Sequence, residues 1–191
     1  MNETLKLGLI LFIITAVSAS VLAVSNNITS PKIAEADRIA DQKAKAEILP
    51  QGDEFRLLSE EKFNEIKEEY PNVTEIFEAY KGEKLVGYTI KNISKGYGGD
   101  IEIMTGISTD GMITGIKILN HSETPGLGAN LTKPHFINSF KNKPIDKELV
   151  ASKSPENDNE IQALTSATIT TNAVLDGVNV AREIYNLKLA D

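Results

Sequence analysis

Five hydroxyl side chains are concentrated in one seven-residue stretch near the C-terminal end of the sequence. They belong to Thr165, Ser166, Thr168, Thr170 and Thr171. Downstream, small or apolar residues recur with the i, i+3, i+4 spacing of an amphipathic helix. The spacing therefore predicts that the hydroxyl run lies at a helix N-terminus. The recurring positions are Val174, Gly177, Val178, Ala181, Ile184 and Tyr185.

Hydroxyl groups at a helix N-terminus have two ordinary uses. They cap the free N–H groups of the first turn, or they accompany an anion such as a phosphate, which the positive end of the helix dipole attracts. Capping alone is the commoner of the two. Small residues at Thr165, Ser166 and Ala167 would also let a bulky ligand approach the backbone. The residues by themselves leave both interpretations open.

Several other chemistries find little support in the sequence. A hydrolase with a serine or threonine nucleophile needs a base, and neither a GxSxG elbow nor a Ser–His–Asp pattern is present. The two histidines, His121 and His135, make no metal-ligand set. The sequence has no cysteine, which excludes disulfides, thiolate-bound iron–sulfur clusters, covalent c-type haem and a cysteine nucleophile.

Three separated stretches resemble the two signatures of a known family. Residues 163–171 read ALTSATITT and resemble the flavinylation motif (S/T)GATx(S/T) of FMN-binding domains. Residues 96–102 read GYGGDIE and residues 121–128 read HSETPGLG, which is similar to the other family signature, GY.G.I followed by H.ETPGLG. Such domains occur in the G subunit of the Rnf electron-transport complex and in the C subunit of the sodium-pumping NADH:quinone reductase. The resemblance covers roughly residues 80–187.

The resemblance implies a specific set of site residues. Thr168, the last residue of the Ser-Ala-Thr triplet, would carry FMN through a phosphoester on its hydroxyl. Two positions differ from the family pattern: Ser166 replaces the usual Gly, and Gln162 stands where Asp is frequent. The other residues expected to contact the covalent FMN are Thr165, Ala167, Thr171, Glu123, Thr124, Gly126, Leu127, Gly128 and Tyr97.

The resemblance also implies a function and partners. The chain would be an electron-carrier subunit of a redox-driven, ion-translocating membrane complex and would not be catalytic alone. Its partners would be the membrane and iron–sulfur subunits of an Rnf-type complex, and a separate flavin transferase would attach FMN taken from FAD. The alternative is a flavin-free, membrane-tethered binding module of the same fold. The acidic balance, a formal net charge of -7, argues against a nucleic-acid partner.

The N-terminal segment is suited to a membrane. Residues 7–24 contain no charge and would form a helix of about 27 Å, close to the thickness of the hydrocarbon core. A cleaved signal peptide is the competing interpretation. Lysines and an arginine follow the span, and the positive-inside rule would then keep the domain in the cytoplasm. The resemblance implies a single-pass protein with its flavin domain on the extracytoplasmic side of the cell membrane, and we follow the resemblance.

The remaining pattern predicts an α+β domain of ordinary size for 191 residues. Residues 1–25 are the expected anchor, 26–52 a helical stalk and 53–191 the FMN-binding domain. The stalk helix is expected to start at Ser30-Pro31, after a polar break over residues 25–29. Alternating residues predict an antiparallel sheet, and short helices are expected over 59–70 and 132–140. The predicted strands span residues 73–80, 85–92, 101–107 and 113–119.

Overall fold

A computed structural model describes residues 2–190 and begins with one long helix. Helix α1 runs over Glu3–Ile48 without interruption. The predicted polar break over residues 25–29 is therefore wrong, and Pro31 lies inside the helix. The Thr29 hydroxyl donates to the Ser25 carbonyl oxygen at 2.9 Å, so this polar side chain finds its partner within the helix.

The chain divides into two compact units, Met1–Gln42 and Lys43–Asp191. The first unit contains the part of α1 that is long and apolar enough to cross a membrane. The second unit starts at Lys43, ten residues before the boundary at residue 53 that the sequence predicts. The fold described next is that of this second unit.

A six-stranded antiparallel sheet forms the centre of the second unit, in the simple order β1 to β6. The four predicted strands are its four middle strands, and the α+β class is confirmed. Gly82 and Glu83 form the predicted hairpin turn, with Gly82 at a φ of 62°. The two short edge strands were not predicted. The strands are β1 (Glu54–Leu57), β2 (Val73–Lys81), β3 (Lys84–Lys95), β4 (Asp100–Ser108), β5 (Met112–Asn120) and β6 (Lys143–Pro144).

Helices cover one face of this sheet. Helix α2 (Glu60–Glu69) matches its prediction, and the segment predicted as one helix over 132–140 is a 3₁₀ turn (Gly128–Thr132) followed by α3 (Pro134–Asn138). A small parallel pair, β7 (Val150–Ser152) and β8 (Glu160–Gln162), leads to α4 (Thr168–Ile184). Helix α4 packs on β3 and β4, and this contact fixes where its N-terminus lies.

The other face of the sheet is covered by the last turn of α1. Ile48 and Leu49 are buried there against Met104 and Ala79. Gly106 and Gly115 lie opposite each other on β4 and β5, and they leave room for the backbone of Ile48. The Thr114 hydroxyl donates to the Ile48 carbonyl oxygen at 2.5 Å. Ala44, Ile48 and Leu49 are therefore part of the core of the second unit.

Candidate functional site

A groove of about 540 Å³ lies at the N-terminus of α4. Three segments form it: the loop before β4, the loop after β5 and the turn before α4. The stretches that resemble the two family signatures therefore meet in one place, because α4 packs on β3 and β4, which flank the first loop, and on the 3₁₀ turn that continues the second. The lining residues are Tyr97, Glu123, Thr124, Leu127, Gly128, Ser166, Ala167, Thr168, Ile169 and Thr170.

Most of the predicted site residues line this groove, and three do not. Thr165 and Gly126 are exposed nearby, and Thr171 is fully buried behind the turn. Two lining residues, Ile169 and Thr170, were missing from the prediction. Ile169 could have been found as an isolated apolar residue within the polar run, whereas nothing local distinguishes Thr170 from its neighbouring hydroxyls.

The five hydroxyls of the run have different structural roles. Thr171 is buried: its hydroxyl donates to the Ala167 carbonyl oxygen at 2.9 Å and accepts from the Leu164 N–H at 3.0 Å, so it holds the turn before α4. Residue Ala167 precedes α4, and no side chain caps the helix. The capping interpretation is therefore wrong for the described helix start. Thr168, the first residue of α4, is exposed and borders the groove.

Ser166 adopts a backbone conformation that explains the glycine usual at this position. Its φ is 59°, in the left-handed region that glycine enters without a steric cost. A serine there costs on the order of 1 kcal/mol. Ser166 is itself exposed. Gln162, the other departure from the family pattern, is an exposed residue at the end of β8.

A buried carboxylate ties the three segments together. Glu123 is only 5% exposed. Its Oε1 accepts a 2.9 Å hydrogen bond from the Gly98 N–H, and its Oε2 accepts a 2.6 Å bond from the Thr170 hydroxyl. The Glu123 N–H in turn donates to Nδ1 of His121 at 3.2 Å. One side chain therefore joins the loop before β4, the loop after β5 and the first turn of α4.

The glycines of the two loops are needed for this close packing. A Cβ atom on Gly98 would lie 2.9 Å from the carbonyl carbon of Ser122, and one on Gly128 would lie 2.8 Å from the Thr170 hydroxyl. Contacts this short essentially do not occur for real Cβ atoms, so larger residues would push the segments apart. The loops can therefore approach each other closely enough to share Glu123.

The groove combines surfaces for a flat ring and for an anion. Tyr97, Leu127 and Ile169 are 70%, 44% and 56% exposed, so the groove has apolar surface available for a ligand. The first turn of α4 contributes the positive end of a helix dipole and the Thr168 hydroxyl. These features fit FMN, which has both a planar ring and a phosphate. Within residues 2–190 no cluster of potential metal ligands is present.

Comparisons with known proteins agree with this fit. A profile of the FMN-binding domain matches residues 96–183. The chain is 42% identical to the G subunit of the Na(+)-translocating ferredoxin:NAD(+) oxidoreductase complex of Acetobacterium woodii, over 94% of this chain and 90% of that protein. It is 38% identical to the G subunit of the proton-translocating ferredoxin:NAD(+) oxidoreductase complex of Clostridium ljungdahlii, over 87% and 83% of the two chains.

A solved structure supports the same assignment. The C subunit of the Na(+)-translocating NADH-quinone reductase of Parabacteroides distasonis superposes with a TM-score of 0.53 and 25% identity. The match covers 61% of this chain and 63% of that one, slightly less than two thirds of the solved protein. From the near full-length similarity to its relatives and the matching domain profile, the chain belongs to the G-subunit family of ion-translocating oxidoreductase complexes and contains an FMN-binding domain.

Proposed function

We propose that this protein is an electron-carrier subunit whose FMN is bound covalently, by a phosphoester, to the hydroxyl of Thr168. One observation carries the proposal. Thr168 combines three properties: it is exposed, it is the first residue of α4, and it borders the groove in which both signatures meet. The other hydroxyls lack at least one of these properties: Thr170 and Thr171 are buried, Thr165 lies outside the groove lining, and Ser166, although exposed in the groove, precedes α4.

The attachment reaction uses FAD as the flavin donor and needs a separate flavin transferase. The Thr168 oxygen forms a bond to the phosphorus of the riboflavin phosphate, and the pyrophosphate P–O bond of FAD breaks. AMP leaves and takes up the hydroxyl proton, so the reaction neither oxidises nor reduces any group. An exposed hydroxyl at the end of a short turn suits this reaction, because the transferase must reach the oxygen from outside.

The described residues would then hold the cofactor in a defined position. The first turn of α4 stabilises the phosphate charge, and Tyr97, Leu127 and Ile169 offer apolar surface to the ring. FMN supplies one- and two-electron redox chemistry, and the protein supplies its position and electrostatic environment. The covalent bond prevents loss of a cofactor that would face the outside of the cell.

We place the protein in a multi-subunit membrane complex. Its relatives are named as subunits of ferredoxin:NAD(+) oxidoreductase complexes that translocate sodium ions or protons. By analogy, other membrane subunits and iron–sulfur subunits would be the electron partners of this chain. The apolar part of α1 would anchor it as a single span, with the FMN-binding domain on the extracytoplasmic side.

A pair of isosteric substitutions tests the attachment residue. The full chain is co-expressed with a flavin transferase, denatured and examined for flavin fluorescence on a gel. Thr168→Val should abolish the fluorescence, because valine keeps the shape of threonine and removes the nucleophilic oxygen. Thr165→Val, which changes an exposed hydroxyl outside the groove lining, should keep it. Retained fluorescence in Thr168→Val would contradict the assignment.

A further inference from the structure

We propose that Glu123 is a positioning residue, whose buried carboxylate holds the first turn of α4, and with it Thr168, against the two loops of the groove. The proposal extends the function proposed above and rests on it. It assigns to Glu123 a role different from the ring contact expected of it from the family resemblance. The carboxylate acts on the flavin site through Thr170 and through its charge.

The hydrogen bonds of Glu123 define this role. Its two oxygens accept from groups on different segments, the Gly98 N–H and the Thr170 hydroxyl. Thr170 lies two residues after Thr168, in the same helical turn. A displacement of Thr170 therefore displaces Thr168 as well, because a helical turn moves as one body when its backbone hydrogen bonds are kept.

The burial of Glu123 argues for a specific role rather than for simple packing. A carboxylate that is 5% exposed loses most of its hydration, and a protein retains such a group only where partners compensate for the loss. An apolar side chain of similar size would fill the same space without this cost. Glu123 also lines the groove, so its charge lies close to any ligand that is bound there.

The charge has a consequence for a bound flavin. A negative charge that borders the groove opposes the addition of electrons to a flavin bound there. Glu123 would therefore lower the reduction potential of the flavin. A purely structural role predicts no such effect, which gives the proposal a second, independent readout.

The first experiment measures the initial rate at which a flavin transferase loads the purified, flavin-free full chain. Thr170→Val removes the hydrogen bond to Glu123 while keeping the side-chain shape, and we expect the rate to fall roughly tenfold, the effect of losing one hydrogen bond to a charged group. Thr170→Ser keeps the hydroxyl and should restore most of the rate. Asn172→Ala, at an exposed position of α4 outside the groove, is the matched control.

The second experiment measures the midpoint potential of the loaded protein by spectroscopic titration. Glu123→Gln is isosteric: its amide oxygen can accept from Gly98 and its amide nitrogen can donate to the Thr170 oxygen. We expect this variant to be loaded and to have a more positive potential than the unmodified sequence. A full loading rate in Thr170→Val would overturn the positioning role of Glu123, and an unchanged potential in Glu123→Gln would overturn the effect of its charge.

A third measurement separates failure of this proposal from failure of the proposed function. Amide hydrogen exchange on the flavin-free chain needs no cofactor. Thr170→Val should exchange faster than Thr170→Ser over residues 96–99 and 164–171, since both segments depend on the Glu123 contact. If the unmodified sequence accepts no flavin, the proposed function fails, and this exchange difference still decides whether Glu123 holds the turn. Equal exchange in the two variants would overturn that role.

Discussion

The Thr170 hydroxyl donates a 2.6 Å hydrogen bond to Oε2 of Glu123, which lies 47 residues earlier in the chain. This bond joins two of the three stretches that resemble family signatures, one in the loop after β5 and one at the start of α4. Since Glu123 also accepts from the Gly98 N–H, all three segments around the groove meet at one carboxylate. The site is therefore a single assembly, and changes to any of the three segments should affect the others.

We predict that Ser166→Gly stabilises the protein. Ser166 has a φ of 59°, and glycine relieves a steric cost of about 1 kcal/mol in this region, partly offset by the greater entropy that glycine has in the unfolded chain. The free energy of unfolding should therefore rise by up to about 1 kcal/mol, as measured by urea denaturation of residues 43–191. Ser166→Val is the control and should destabilise the protein, because a β-branched residue is strongly disfavoured at positive φ. A valine variant as stable as the glycine variant would contradict the explanation.

We predict that Gly98→Ala disrupts the groove. The backbone of Gly98 lies outside the left-handed region, so alanine can adopt its conformation, but the added Cβ would lie 2.9 Å from the Ser122 carbonyl carbon and 3.1 Å from the Glu123 Cα. The two loops must separate, at a cost of about 1–3 kcal/mol. The free energy of unfolding in urea and the rate of flavin loading should therefore both fall in Gly98→Ala.

Gly82→Asn is the control for the substitution at Gly98. Gly82 lies at a hairpin turn with a φ of 62°, and a Cβ added there would meet only open space. Asparagine tolerates this conformation, so stability should fall by less than about 1 kcal/mol and flavin loading should be unchanged. A Gly98→Ala protein that matches this control in both measurements would show that the loops are not in the close contact described.

We predict that residues 43–191 form a more stable soluble domain than residues 53–191. The shorter fragment lacks Ile48 and Leu49, which are buried on the sheet. Deleting two buried aliphatic side chains costs at least about 4 kcal/mol by comparison with large-to-small core substitutions. The two fragments should therefore differ clearly in their urea midpoints. Equal midpoints would place the start of the domain at residue 53, as the sequence alone suggested.

The sequence predicts the regular part of this fold well. Apolar residues alternate with a period of two in parts of β3, β4 and β5, and α4 has a clear apolar face, so each of these elements carries its own local signal. The short strands β1, β6, β7 and β8 have two to four residues each, and they form only because a distant partner is already in place. No local pattern encodes such pairing.

The polar stretch in α1 shows a second limit. Residues 25–31 contain serine, asparagine, threonine and a proline, all of which favour a helix boundary locally. The helix nevertheless continues through them, and Pro31 lies within it. The preference of these residues for a helix boundary is weak, and long helical segments on both sides can override it.

The sequence predicts only part of the site, because some of its contacts join distant parts of the chain. Thr168 and Tyr97 line the groove, and both were expected from the motifs because they belong to stretches that resemble the family signatures. The separate roles of Thr170, Thr171 and Glu123 depend on contacts across the fold, including the Thr170–Glu123 bond. Five similar hydroxyls in one run cannot be told apart until the structure places two of them in the interior.

The most direct test of the account is a mass measurement on the protein taken from its own membranes. The chain is denatured, its intact mass is determined, and the peptide that contains Thr168 is sequenced by fragmentation. We predict one esterified FMN per chain, located on Thr168. An unmodified mass in cells with an active flavin transferase, or a flavin on Thr165, would contradict the central claim.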